Sequence, residues 1–198
     1  SADGGLFVPE SLPRYTHEDL MELSLCPYTE RAARIMADFL PEFSREELLE
    51  CANAAYAPEK FSGGSPAPLS LEQKGSLNMY VLELWHGPTC AFKDMALQML
   101  PHLLTRSLKK TGIDKTAVIL VPTSGDTGKA ALEGFRDVDG TKILVFYPEN
   151  GVSAMQKRQM QVQEGGNVAV CAIEGNFDDA QTGVKRIFTD PGVKEQLA

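Results

Sequence analysis

The chain has 198 residues and a formal net charge of −8, from 19 basic and 27 acidic side chains. This acidic excess argues against a surface that binds nucleic-acid phosphates or an anionic membrane. Hydrophobic residues at 43% and charged residues at 23% are ordinary for a globular protein, which excludes global disorder.

The four cysteines lie far apart along the chain and form no C-x-x-C pair: Cys26, Cys51, Cys90 and Cys171. This spacing favours neither a zinc site nor a disulfide framework. No apolar run approaches the roughly 20 residues that span a bilayer, and the first residues lack the pattern of a signal peptide. We therefore expect reduced thiols and a cytoplasmic, soluble protein.

The first third of the chain predicts three helices. Thr16 and Asp19 have the spacing of a capping box, which begins a short first helix. An apolar stripe at helical spacing runs from Tyr28 to Leu40 and predicts the second helix. Ser44 and Glu47 repeat the capping-box spacing and begin the third.

A segment rich in Pro, Gly and Ser follows, from Pro58 to Gly75. Such a composition interrupts helical and strand periodicity, so it predicts a connector. We place a domain boundary at its end, with a helical N-terminal region at 1–75 and an α/β portion at 76–198. A further boundary between lobes is expected near residue 111.

Beyond the connector, apolar strands alternate with helices. The predicted strands are Met79–Trp85, Thr116–Pro122, Lys142–Tyr147 and Val168–Ile173, and the predicted helices are Phe92–Lys109, Gly128–Arg136, Ser153–Gln163 and Phe177–Phe188. This order predicts the α/β class: a parallel sheet with right-handed crossovers and helices on its faces. Pro101 should kink or split its helix. Ligands are expected at the carboxyl ends of the strands.

The first loop with chemical interest is His86-Gly-Pro-Thr-Cys-Ala-Phe-Lys93-Asp94, in which a strand ends and a lysine opens the next helix. The positive end of the helix dipole and partial burial would both lower the pKa of the Lys93 amine. A neutral amine is what Schiff-base chemistry requires. The alternative is a solvated lysine beside Asp94. His86 fits a hydrogen-bonding loop residue, and the three histidines lack metal-ligand spacing.

The second loop is Thr123-Ser-Gly-Asp-Thr-Gly128, followed by Lys129. Backbone amides and hydroxyls at the start of a helix suit a carboxylate or a phosphate. Two known phosphate motifs fail here: both need a glycine at position 123, and a P-loop also needs Ser or Thr where Ala130 stands. The alternative is a tight turn that uses Gly125 and Gly128 for backbone reasons alone.

Four segments, in order, resemble threonine synthase, a pyridoxal-phosphate enzyme of fold type II. They are Asp3-Gly-Gly-Leu-Phe-Val-Pro-Glu10, His86 to Asp94, Thr123 to Gly128, and Glu174-Gly-Asn-Phe-Asp-Asp-Ala-Gln181. The resemblance runs over nearly the whole chain, and the helical first third is similar to the N-terminal region of that family. It implies an incomplete fold type II enzyme that takes pyridoxal 5'-phosphate as cofactor.

The resemblance also implies roles for individual residues. Lys93 would bond to the cofactor aldehyde and then act as the base, with Phe92 and Asp126 also at the cofactor. The loop that receives the substrate carboxylate would be Ser124, Gly125, Asp126, Thr127 and Gly128. Thr89 and Lys129 are candidates for the substrate phosphate by position only. The implied reaction converts O-phospho-L-homoserine and water to L-threonine and phosphate, with no metal.

One family feature has no counterpart in these residues. The loop for the cofactor phosphate, of a Gly-Asn-Phe-Gly type, is not matched by Gly175-Asn176-Phe177, because two aspartates follow and indicate a helix start. In this family, the residue that partners the pyridine nitrogen of the cofactor also lies later in the chain. The chain therefore resembles an N-terminal portion, and alone we expect weak or no cofactor binding, negligible activity and exposed apolar surface that favours self-association.

Three alternatives differ in class. A serine/threonine dehydratase-like lyase of the same fold is the nearest, but Asp126, where many such relatives carry Asn, and the Asp3 to Glu10 stretch favour the synthase. A non-catalytic module that keeps the fold is the second, and the presence of Lys93 argues against it. A nucleotide-binding domain is the third, and the failed phosphate motifs argue against that.

Overall fold

The computed structural model describes residues 5–197, apart from the side chains of residues 194 and 197, so the first two residues of the Asp3 to Glu10 stretch lie outside it. The chain divides into two compact units, 1–57 and 58–198. The segment 58–75, predicted to end the first domain, thus folds with the second unit. The reason is a long-range contact: the amide of Ser62 donates to the carbonyl of His86 at 2.8 Å.

The first unit contains α1 (His17–Leu25), α2 (Tyr28–Ala37) and α3 (Arg45–Ala55), as predicted. Both capping boxes are confirmed, at Thr16 with Asp19 and at Ser44 with Glu47. The side chain of each cap accepts from the third helical amide, and the acidic side chain returns the bond to the cap amide. Helix α2 packs against α3, and buried side chains of α3 include Leu48 and Cys51.

The second unit begins with two short 3-10 turns, Pro58–Lys60 and Ser62–Gly64. An antiparallel hairpin follows, formed by β1 (Leu69–Lys74) and β2 (Leu77–Leu82). The predicted connector therefore contains a strand, and the first predicted strand pairs with it instead of joining the parallel sheet. Gly75 makes this possible, because its φ of +63° allows a tight left-handed turn between the strands.

The remaining strands form a parallel sheet of order β3-β4-β5, with β3 at Ala117–Pro122, β4 at Thr141–Pro148 and β5 at Val168–Ile173. The accompanying helices are α4 (Asp94–Leu97), α5 (Leu100–Lys110), α6 (Asp126–Phe135), α7 (Ala154–Gln161), α8 (Phe177–Thr189) and α9 (Pro191–Leu197). The α/β class is confirmed. Pro101 lies in the first turn of α5, where proline is tolerated, and the predicted helix is split just before it.

The core of this unit lies on one face of β4. Alternate β4 side chains, including Ile143, Val145 and Tyr147, pack with Phe135 of α6 and Met160 of α7. This alternation is the period-two pattern of a strand with one face against helices. Helix α8 packs against β3 and β4. Within residues 5–197, no helix is long and apolar enough to cross a membrane.

Candidate functional site

The predicted site residues lie in two loops that each lead into a helix. One loop joins the hairpin to α4 and carries Lys93; the other joins β3 to α6 and carries Ser124. The two following helices pack closely, since a Cβ on Gly134 of α6 would lie 2.1 Å from the carbonyl oxygen of Leu97 in α4. Only glycine permits this approach, which brings the helix after Lys93 against the helix after Ser124.

The Lys93 loop is organised around the buried carboxylate of Asp94, which is 0% exposed. The Thr89 amide donates to Asp94 Oδ2 at 2.9 Å, and the Thr89 hydroxyl donates to Oδ1 at 2.7 Å. Burial raises the pKa of Asp94, whereas the Thr89 hydrogen bonds lower it and the nearby Glu133 carboxylate raises it further. Asp94 is therefore an internal anchor and not a solvated partner of Lys93.

Lys93 occupies the N-cap position of α4, so the prediction that it opens a helix is confirmed. Its side chain is partly buried, and Nζ lies 4.7 Å from the centroid of the Phe92 ring, within cation–π range. Phe92 itself is 57% exposed. Among the described residues, no hydrogen bond or ion pair occupies the Lys93 amine. The amine is thus available to an electrophile.

His86 is a hydrogen-bonding loop residue, as predicted. Its Nε2 lies 2.6 Å from Glu83 Oε2, and its Nδ1 lies 2.8 Å from Ser62 Oγ. The hydrogen bond from His86, with a further one from Ser70, lowers the pKa of Glu83. His86 thereby connects the start of the Lys93 loop to the segment at residue 62.

The Ser124 loop is organised around the hydroxyl of Thr123, which is 1% exposed. Thr123 Oγ1 accepts from the amides of Gly125 at 3.0 Å and Gly128 at 2.9 Å. A Cβ on Gly128 would lie 2.5 Å from Thr123 Cγ2 and 2.8 Å from Val145 Cγ1. The glycine at 128 is therefore required by packing.

Gln156 of α7 holds this loop from outside it. Its Nε2 donates to Asp126 Oδ1 at 2.8 Å, and its Oε1 accepts from the Ser153 amide at 3.1 Å. A Cβ on Gly125 would lie 2.4 Å from Gln156 Cδ, and the Gly125 φ of +146° also favours glycine. Ser124 and Asp126 remain exposed, and Thr127 is partly buried.

Lys129 lies on α6, and its amine hydrogen-bonds Gln163 Oε1 and lies 3.9 Å from Glu133 Oε2. Burial lowers the pKa of Lys129, opposed by the charge of Glu133. The structure thus places residues 124–128 at the start of α6, Lys129 with Glu133 and Gln163, and the Thr89 hydroxyl on Asp94.

Gly175 and Asn176 form a helix start, as predicted. Asn176 caps α8: its side chain accepts from the amides of Asp178 and Asp179, and the Asp179 carboxylate accepts from the Asn176 amide. No cluster of His, Cys, Asp or Glu within residues 5–197 could hold a metal ion.

Sequence reasoning missed the anchoring residues. The sequence pattern presents Asp94 only as a neighbour of Lys93 and gives no indication of the roles of Thr123, Gln156 and Glu83. A threonine five residues before an aspartate at a helix start is a local signal that could have indicated the Thr89–Asp94 bond. Gln156 is 30 residues from Asp126, so no local pattern marks their contact.

Comparisons with known proteins find similarity to threonine synthases. The family described as "Threonine synthase N terminus" matches residues 1–56. A threonine synthase of Pseudomonas aeruginosa is 44% identical over 196 residues, which is 97% of this chain and 40% of that protein. The chain matches the N-terminal portion of threonine synthases. It spans about 40% of the length of this relative.

Solved structures give the same result for the fold. A pyridoxal-phosphate-bound threonine synthase from Brucella melitensis has a TM-score of 0.85 at 38% identity, over 98% of this chain and 41% of that chain. Yeast threonine synthase has a TM-score of 0.87 at 32% identity, over 98% of this chain and 40% of that chain. The fold is therefore that of the N-terminal part of a threonine synthase.

Proposed function

We propose that the protein containing these residues is a threonine synthase, which converts O-phospho-L-homoserine and water to L-threonine and phosphate. The observation that carries this proposal is the Lys93 amine, which has no hydrogen-bond or ion-pair partner among the described residues and belongs to the N-cap residue of a helix packed against the helix of the Ser124 loop. The similarity to threonine synthases over 97% of this chain supports it.

The residues present fit pyridoxal 5'-phosphate as cofactor. An unpaired amine can bond to its aldehyde, and the exposed Phe92 ring beside that amine offers an apolar surface. When bound, the cofactor supplies the electron sink for removal of a proton next to the substrate amino group. In this proposal Lys93 would hold the cofactor, and its amine would then serve as the base for proton transfer at the substrate Cα.

The Ser124 loop would orient the substrate carboxylate. Because Thr123 occupies the amides of Gly125 and Gly128, the amides of Ser124, Asp126 and Thr127 are the ones left to point at an anion from the start of α6. Gln156 donates a hydrogen bond to Asp126 Oδ1. This bond would limit the repulsion between the Asp126 carboxylate and the substrate carboxylate.

Lys129 and Thr89 are the candidates for binding the substrate phosphate. A phosphate at Lys129 would compete with Gln163 and Glu133 for the amine, and the Thr89 hydroxyl already donates to Asp94. We keep both residues as candidates by position.

These 198 residues contain no match to the expected loop for the cofactor phosphate, so we propose that alone they have negligible activity. Reduced cysteines fit a cytoplasmic location.

The experiment is to trap the cofactor on the full-length protein. Incubation with pyridoxal 5'-phosphate, reduction with borohydride and peptide mapping should place a pyridoxyl group on Lys93, and Lys93→Arg should lose it while keeping the charge. Lys109, exposed on α5, is the internal control. A protein labelled equally on Lys109 and Lys93 would contradict the proposal.

Turnover separates the synthase from a dehydratase of the same fold. The full-length protein should release phosphate from O-phospho-L-homoserine and form threonine. Production of a keto acid from threonine, without phosphate release from O-phospho-L-homoserine, would assign the dehydratase-like reaction instead.

A further inference from the structure

The side chain next to Lys93 points away from solvent although it belongs to the first residue of a short helix. Asp94 is 0% exposed, and both of its carboxylate oxygens accept from Thr89. A buried carboxylate that accepts charge-assisted hydrogen bonds holds its donors more firmly than a neutral acceptor would. The Thr89 main chain and side chain are therefore both fixed by one residue.

The same carboxylate also fixes the beginning of the loop. A Cβ on Gly87 would lie 2.5 Å from Asp94 Oδ2, so the Gly87 backbone lies directly against this side chain. The Cys90 amide donates to the Gly87 carbonyl at 3.0 Å, and Cys90 has a φ of +57°, a conformation that non-glycine residues rarely adopt. A tight turn of this kind persists only where its surroundings hold it.

Helix α4 is held on its other side by α6. Gly134 allows the α4 backbone to approach, and Asp94 interacts electrostatically with Glu133 and Lys129 of α6. Gln98, one turn after Asp94, is 4% exposed, and its Nε2 lacks a hydrogen-bond partner within the described part of the chain. The end of the loop that bears Lys93 is thus packed against α6.

We infer that Asp94 is the positioning residue of the Lys93 loop: through Thr89 and Gly87 it fixes the turn at residues 87–92 and so sets where the Lys93 amine stands. Asp94 acts through Thr89 and the backbone, not on substrate. This inference deepens the proposed function and rests on it for the role of the amine. It predicts that the Thr89 hydrogen bonds control both loop opening and Lys93 reactivity.

The test compares Asp94→Asn with Asp139→Asn in the full chain. Asp139 is an exposed carboxylate outside both loops, so its variant removes the same charge without the anchor. An asparagine in place of Asp94 would keep the volume of the side chain but offers only one acceptor oxygen to two donors. Hydrogen exchange at the Thr89 and Cys90 amides should accelerate by about tenfold or more in Asp94→Asn, the size expected for a lost hydrogen bond to a charged group.

The second readout is trace acetylation of lysines with acetic anhydride, which needs no cofactor. The reactivity of Lys93 relative to Lys109 should change by about threefold or more in Asp94→Asn and stay at the wild-type ratio in Asp139→Asn, since a displaced loop changes the burial and the charged surroundings of the amine. Thr89→Val should reproduce the accelerated exchange, and Thr89→Ser, which keeps the hydroxyl, should restore slow exchange. The Thr89 pair decides the question if Asp94→Asn does not fold.

Folded variants that keep slow exchange and the wild-type ratio for Lys93 would overturn the inference. Its failure is distinct from failure of the proposed function. If borohydride trapping never places a pyridoxyl group on wild-type Lys93, the proposed function fails whatever Asp94 does. If wild-type Lys93 is trapped but Asp94→Asn changes neither exchange nor acetylation, only the positioning role fails.

Discussion

The Lys93 loop and the Ser124 loop are anchored by different chemical groups. In the Lys93 loop the anchor is a carboxylate, Asp94, that accepts from Thr89 within five residues. In the Ser124 loop the anchor is a neutral hydroxyl, Thr123, helped by Gln156 from a separate helix. In both loops the anchor is buried while a residue proposed for function, Phe92 or Ser124, is exposed. Rigid buried anchors allow exposed groups to be placed accurately.

The comparison predicts different sensitivities. The buried anchor of the Ser124 loop carries no charge, so we expect the stability of this loop to depend mainly on the close packing around its glycines. The Lys93 loop depends on a carboxylate whose burial is costly unless its oxygens are hydrogen-bonded. Three changes test this difference, from the largest expected effect to the smallest.

Gly128→Ala should give the largest loss. The new Cβ would lie 2.5 Å from Thr123 Cγ2 and 2.8 Å from Val145 Cγ1, both in the interior. We expect the free energy of unfolding to fall by about 2 to 3 kcal/mol, measured by urea denaturation, as for an overpacked core. The matched control is Gly183→Ala in α8, where a Cβ meets nothing within 4 Å.

In that control, alanine should gain up to about 1 kcal/mol over glycine from helix propensity. A Gly128→Ala variant as stable as the control would show that the loop can accommodate a Cβ at this position. The predicted difference in sensitivity between the two loops would then be wrong.

Thr123→Val tests the hydroxyl anchor. Valine keeps the shape but leaves the amides of Gly125 and Gly128 without their acceptor. We expect a loss of about 2 kcal/mol in the free energy of unfolding, because buried unsatisfied donors are costly. Thr123→Ser, which keeps the hydroxyl, should lose less. A Thr123→Val variant as stable as the wild type would show that the hydroxyl does not anchor the loop.

The smallest effect is a pH dependence confined to the Lys93 loop. Burial raises the pKa of Asp94, so between its unfolded and folded pKa values the folded state binds more protons. The contribution of Asp94 to stability is therefore greatest below the unfolded pKa and declines as the pH rises through the folded pKa. Glu133 and Lys129 are the charged groups facing it.

The measurement is the difference in unfolding free energy between the wild type and Asp94→Asn, from about pH 4 to about pH 8. This difference should shift in favour of Asp94→Asn as the pH rises, whereas the difference between the wild type and Thr123→Ser should stay constant. A flat profile for Asp94→Asn would mean that the hydrogen bonds from Thr89 offset the cost of burial.

Local sequence was sufficient for most element starts. The capping boxes at Thr16 and Ser44, and the cap at Asn176, join residues two or three positions apart, so their spacing alone marks the helix starts. The apolar runs likewise predicted β3, β4 and β5. The loops at Lys93 and Ser124 were recognised because each motif is contiguous.

Tertiary structure decided what lies far apart in sequence. The approach of Leu97 to Gly134 and the bond from Gln156 to Asp126 join segments whose contact no local pattern records. The burial of Asp94 belongs with them, because a carboxylate enters the interior only where donors and packing offset its desolvation. Sequence therefore indicated which residues are proposed to carry the chemistry, and the folded chain determined which residues hold them in place.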